Sequence, residues 1–165
     1  MAMRRKVFRI VGLAMAMMFY LVGIAAAWEG VVTRIQDGDS FQVRQGRSTQ
    51  TIRLYGIDCP EYQQPGGQRA KKLTSSLVKG RRVEILPMDT DRYGRIVAVV
   101  RLGGLVLNAE LVRSGWAWVY PRYCTSPSLC RQWQAWEQEA RRSRLGIWRD
   151  AHPEPPWQSR ARNDS

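Results

Sequence analysis

The stretch that most constrains this chain runs from Ile52 to Glu61: Ile-Arg-Leu-Tyr-Gly-Ile-Asp-Cys-Pro-Glu. Strand side chains alternate faces, so Ile52, Leu54 and Gly56 fall on one side and Arg53, Tyr55 and Ile57 on the other. Pro60 has no N–H for a ladder and is expected to end the strand. One cation and two carboxylates, Arg53, Asp58 and Glu61, then stand along a strand and at its mouth.

Short strands punctuated by turns surround this one. Residues 28–43 predict a β-hairpin about Asp37-Gly38-Asp39, with Val31, Thr33 and Ile35 alternating before the turn and Phe41 and Val43 after it. Residues 45–48 form a polar turn, and further strands are predicted over 82–88 and 96–102, with Gly103-Gly104 as a hairpin turn. Helices are predicted over 68–78, 107–113 and 131–143. In the first, Ala70, Leu73, Leu77 and Val78 share a face, and Lys79-Gly80 closes it. In the third, Trp133, Trp136 and Ala140 form an apolar stripe read as core. At 165 residues and 44% hydrophobic content, the chain supports one folded domain. Five short strands with three helices predict a small, mainly β barrel of the α+β class.

The chain carries 26 Lys+Arg against 14 Asp+Glu, a formal +12, which favours a polyanionic partner: nucleic acid or an anionic membrane surface. Arg4, Arg5, Lys6 and Arg9 precede an uncharged apolar run, residues 10–27, ending in Ala25-Ala26-Ala27. This reads as a secretory signal peptide cut after Ala27, the alternative being an uncleaved membrane anchor. Removing residues 1–27 takes away four of the basic side chains and no acidic one, so a balance of +8 remains. The expected product is periplasmic or secreted and monomeric, with no protein partner implied. Membrane contact is expected only if the leader stays attached.

Cys124 and Cys130 lie close together in a Thr/Ser/Pro loop. In an oxidising compartment such a pair closes a small loop; the alternative is two free thiols. Cys59 is left as a small buried residue. Residues 28–150 make the domain, and 151–165, Pro-rich and polar, are expected to be a flexible tail. His152 in that tail is given no role.

The charged residues suggest a chemistry. Clustered carboxylates hold a hard divalent cation through oxygen. Arginines such as Arg92 and Arg95, in the turn after Asp91, grip phosphate. A further carboxylate takes a proton from water. These are the parts of a metal-dependent phosphodiesterase. Taken alone, Asp37 and Asp39 read as turn residues, and Lys71, Lys72 and Lys79 as either a solvated helix face or a nucleic-acid rim.

Five segments in order resemble the staphylococcal nuclease (thermonuclease) family: Asp37-Gly38-Asp39-Ser40, residues 53–61, residues 91–95, residues 108–115, and Leu145-Gly146-Ile147-Trp148. The resemblance implies a five-stranded OB-type Greek-key barrel with three helices, a fold that often binds oligonucleotides on one face. It implies one Ca²⁺ ion held by Asp39, Asp58 and the main-chain carbonyl of Cys59. It also implies Glu61 as general base, Arg53 and Arg95 on the scissile phosphate, and Arg92 and Tyr93 in substrate binding. The substrate would be DNA, RNA or both. Cys59 and Ser40 stand where the family carries threonines; the first matters little if only its main-chain oxygen meets the metal. A non-catalytic nucleic-acid-binding module of the same fold is the main alternative.

Overall fold

The computed structural model describes residues 26–163. The signal-peptide or anchor segment expected at 1–27 falls almost wholly outside them. Among the described residues no helix is long and apolar enough to cross a membrane.

The barrel is built from β1 (Trp28–Ile35), β2 (Ser40–Gln45), β3 (Ser48–Leu54), β5 (Arg82–Thr90) and β6 (Ile96–Leu102). The sheet order is β3-β2-β1-β5-β6, and β3 pairs with β6 to close it. That closing seam is parallel, with Arg53 opposite Val97 and Leu54 opposite Ala98, while the other pairings are antiparallel. Closure leaves no open edge among these strands, and alternation fills the interior. Val32, Phe41, Val43, Ile52, Leu54, Val83, Ile85, Ala98 and Val100 are all buried.

Two small strands, β4 (Ile57–Asp58) and β7 (Leu105–Val106), are followed by β8 (Trp118–Val119), which pairs with β4. The helices are α1 (Gly67–Val78), α2 (Leu107–Arg113), α3 (Pro127–Arg142) and α4 (Pro156–Asn163). Trp133 on α3 is buried in the barrel-side core, as its stripe predicted. Cys124 and Cys130 form a disulfide, with Cα atoms 5.7 Å apart, and Cys59 is a buried free thiol. Asn108 at the start of α2 is fully buried. Its Oδ1 accepts the Val100 N–H, and its Nδ2 donates to the carbonyls of Tyr55 and Ala98. One amide side chain thus ties α2 to both strands of the barrel seam.

Three expectations need correction. The strand through Arg53 ends at Leu54, not at Pro60. Gly56 takes a left-handed φ of 69°, and a Cβ there would meet Cys124 Sγ at 2.9 Å and Trp133 at 3.1 Å. Only glycine permits both the turn and the close packing. The chain therefore bends, and Ile57–Asp58 pairs with β8 instead of extending β3. Second, α3 begins at Pro127, four residues before the expected start, which places Cys130 inside the helix. The Tyr55 hydroxyl explains this start: it accepts the N–H groups of Thr125 and Ser126, each at 2.7 Å. Third, residues 156–163 of the expected flexible tail form a helix, so the described residues hold four α-helices where three were predicted.

Candidate active site

The turn between β1 and β2 brings Asp39 to the end of β3. The bend at Gly56 swings Asp58 back to the same place. Arg53 joins them: Nη1 donates to Asp39 Oδ1 and Nη2 to Asp58 Oδ1, both at 2.5 Å. Asp39 is 2% exposed and Asp58 fully buried, while the Arg53 side chain is 18% exposed. The remaining oxygens are also held. The Cys59 N–H donates to Asp39 Oδ2 at 2.7 Å, and the Ser40 hydroxyl to Asp39 Oδ1 at 3.1 Å. Gly38 lets the acidic turn lie flat on the β4 segment, since a Cβ there would meet the Cys59 side chain at 2.8 Å and Ala70 at 2.9 Å.

The electrostatics are those of crowded negative charge. Burial pushes the Asp58 carboxyl above its usual pKa; Asp39 adds to this, while Arg53 and Arg160 oppose it. Burial likewise raises Asp37, reinforced by Asp39 and Glu61. Burial works against the charge on Arg53, but Asp39 and Asp58 more than offset it and hold the guanidinium above its usual pKa. Cys59 is pushed up by burial, which keeps it a thiol and removes it as a nucleophile.

Glu61 stands at the rim, with its side chain 42% exposed. Its main-chain N–H donates to Gln64 Oε1 at 2.8 Å. A partner absent from the sequence reading meets it here. Arg160 of α4 donates Nη2 to Asp58 Oδ2 at 2.7 Å and Nη1 to Glu61 Oε1. A signal for α4 existed: Pro156 is well placed to open a helix, and Trp157 and Arg160 share a face at i,i+3 spacing.

Arg95 lies elsewhere. Arg53 is opposite Val97, and Arg95 precedes Val97 by two, so continuing the alternation puts Arg95 on the same sheet face as Arg53. Its guanidinium, however, is turned to its own loop. Nε donates to Asp91 Oδ2 at 2.6 Å, and the group sits 5.5 Å from the centre of the Tyr93 ring. Arg92 Nη2 donates to the Tyr93 hydroxyl at 2.6 Å, and Tyr93 is 68% exposed. The predicted residues thus form two groups, an acidic cluster with Arg53 and an exposed basic loop. A third feature borders the first. Arg34, Tyr62, Gln68, Lys71, Lys72 and Lys79 line an open groove between β1 and α1, with Lys71 5.1 Å from the Tyr62 ring centre.

Among the described residues no three carboxylate, imidazole or thiol groups stand as a ready metal cage. The donor set still fits a hard divalent cation. Asp39 and Asp58 converge on one guanidinium, so two carboxylates already point at one cationic position. Such an ion would take these two carboxylates and complete its shell with the Cys59 carbonyl and water.

Residues 51–150 match the model of the staphylococcal nuclease homologue family. The chain is 40% identical over 135 residues to an uncharacterized endonuclease of Escherichia coli, covering 81% of this chain and 86% of that protein. It is 37% identical over 159 residues to a micrococcal nuclease of Shigella flexneri, covering 89% and 90%. It is 37% identical over 109 residues to a staphylococcal-like nuclease of Arabidopsis thaliana, covering 66% of this chain and 32% of that protein. The family match includes Arg53, Asp58, Glu61 and residues 91–95, while Asp39 lies before it and Arg160 after it. With the closed five-stranded barrel and the order of these residues, the chain belongs to the staphylococcal nuclease family.

Proposed function

We propose that this chain is an exported, Ca²⁺-dependent endonuclease that hydrolyses phosphodiester bonds in DNA, RNA or both. The observation that carries the reading is the convergence of Asp39, Asp58 and Arg53 at the barrel end, with Glu61 at its rim. Export rests on the basic and apolar leader, and the Cys124–Cys130 disulfide accords with an oxidising compartment.

Asp39, Asp58 and the Cys59 carbonyl would hold the ion, which when bound supplies positive charge beside the phosphate. Glu61, exposed at the rim, takes the proton from the attacking water at a carboxylate oxygen. Arg53 and Arg95 present guanidinium groups to the phosphate oxygens as negative charge grows, the role in which planar, two-pronged donors exceed lysine. For this, Arg95 must exchange Asp91 for the substrate. Arg92 and Tyr93 extend the contact along the strand. The groove lined by Tyr62, Lys71 and Lys72 offers cations to further phosphates and one ring for a base to stack on.

The test is digestion of DNA and of RNA by the full chain in Ca²⁺, in Mg²⁺ and in chelator. Cleavage that needs Ca²⁺ supports the reading. Binding without cleavage in every metal would assign a non-catalytic nucleic-acid-binding module instead.

A further inference from the structure

The helix α4 reaches from the end of the chain to the acidic cluster. Asp58 has no carboxylate oxygen left over: Oδ1 takes Arg53 and Oδ2 takes Arg160. Arg160 also holds Glu61. The two arginines differ in how they are anchored. Arg53 sits on a barrel strand with neighbours on both sides. Arg160 sits on an eight-residue helix docked on the outside of the barrel through Pro156, Trp157 and Ser159. Trp157 stacks on Tyr120 at 4.5 Å and 11°, Ser159 is buried, and Gln64 Nε2 donates to the Glu154 carbonyl at 3.4 Å. The Arg162–Glu154 ion pair stays within the segment itself. Releasing α4 therefore uncovers Trp157 and the second apolar cluster it packs on, Trp118, Ala140, Ile147 and Trp148, but leaves the barrel interior closed, and peripheral elements of this kind open below the global stability.

We propose that α4 is an intrinsic latch on the active site, in which Arg160 neutralises Asp58 and Glu61 in place of an external cation and must leave before a divalent ion can bind. The inference rests on reading Asp39 and Asp58 as the cation ligands. In the latched form the site presents guanidinium where an ion needs carboxylate oxygen, and the proposed base is bonded to a cation instead of water. Only the unlatched fraction binds the ion, so the apparent affinity is reduced by that fraction. The Arg160 and Glu61 side chains are 39% and 42% exposed, so that contact is weak, whereas Asp58 is fully buried and Arg160 leaves it only as the divalent ion supplies a replacement charge.

The experiment is calorimetric titration of Ca²⁺ alone, without nucleic acid, into the full chain and its variants. Arg160→Gln is expected to bind Ca²⁺ roughly 3- to 10-fold tighter than wild type. Trp157→Ala, which loosens the helix but keeps the Arg160 charge, is expected to shift the same way by less. In wild type, saturating Ca²⁺ is expected to speed amide hydrogen exchange across residues 156–163. Unchanged or weaker Ca²⁺ binding by Arg160→Gln, or exchange in 156–163 unaffected by Ca²⁺, would overturn the latch. Cleavage of DNA by the same samples separates the two readings. A protein that cleaves in Ca²⁺ but shows no gain in Arg160→Gln loses the latch and keeps the nuclease assignment. One that neither takes up Ca²⁺ nor cleaves loses both.

Discussion

Arg53 and Arg95 are both expected at the phosphate, yet the fold holds them in opposite ways. Arg53 joins two buried carboxylates that come from different segments, 14 and 5 residues away in sequence. Arg95 binds Asp91, four residues away in its own turn, with the two side chains 31% and 19% exposed. The first pair needs the whole barrel to exist; the second needs only a loop. A long-range buried pair fixes a charge in place, and a local exposed one lets it move to a ligand at little cost. The acidic cluster is therefore held by the barrel as a whole, and the basic loop only by its own turn.

Substitution separates the two regions most sharply. Arg53→Met leaves Asp39 and Asp58 buried without their shared partner, and should cost about 3–5 kcal/mol of stability. Arg95→Lys should stay within about 0.5 kcal/mol of wild type. Both Arg53→Lys and Arg95→Lys should lower turnover by about 10²–10³, as when a donor to a developing negative charge is lost. Urea unfolding followed by circular dichroism, in chelator, reads the stability contrast. Equal destabilisation at the two positions would erase the distinction.

A second test moves away from both regions. The Cys124–Cys130 bridge packs under the bend at Gly56, which directs Asp58 to the site. Replacing both cysteines by alanine should cost about 2–3 kcal/mol, because the closed loop is short. Turnover of the folded protein at low temperature should survive. A loss of turnover without loss of stability would mean that the bridge sets the geometry of the acidic cluster directly.

The two regions should also respond to pH with opposite sign. Burial works against the charge on Asp91, but bonds from Arg95 and from the Tyr93 N–H outweigh it and hold the carboxyl below its usual 3.8. That contribution to stability is present above pH 3.8 and lost as pH falls through the folded value. Asp58 is pushed above 3.8 by burial. Its contribution is present below pH 3.8 and lost as pH rises through the folded value. In chelator, Asp91→Asn should flatten an acid-side loss and Asp58→Asn a loss on going upward. Stability curves against pH for the two variants that bend the same way would contradict this.

How much of this was legible in the sequence depended on the range of the interactions. Alternation at Ile52 and Leu54, and at Val83 and Ile85, announced the strands, and all four side chains are buried. The bend at Gly56 was not legible, because Tyr55 and Ile57 are good strand formers and extend the pattern. What stops the strand is a left-handed glycine bedded on a disulfide and a tryptophan from distant segments. The helix α4 was missed for a related reason. Short polar helices take their stability from docking more than from propensity, and its anchors are Tyr120, Asp58 and Glu61. The meeting of Asp39 with Asp58 came from the family resemblance, not from periodicity. No local pattern reveals that two turns 19 residues apart share one guanidinium.

The most direct test of the nuclease reading is turnover on DNA at saturating Ca²⁺ by Glu61→Gln, with folding checked by circular dichroism. Glutamine keeps the size and hydrogen bonding of the side chain but removes the base. A fall on the order of 10²–10⁴ is expected. Wild-type turnover in the folded variant would contradict Glu61 as the base, and with it the chemistry assigned to this site.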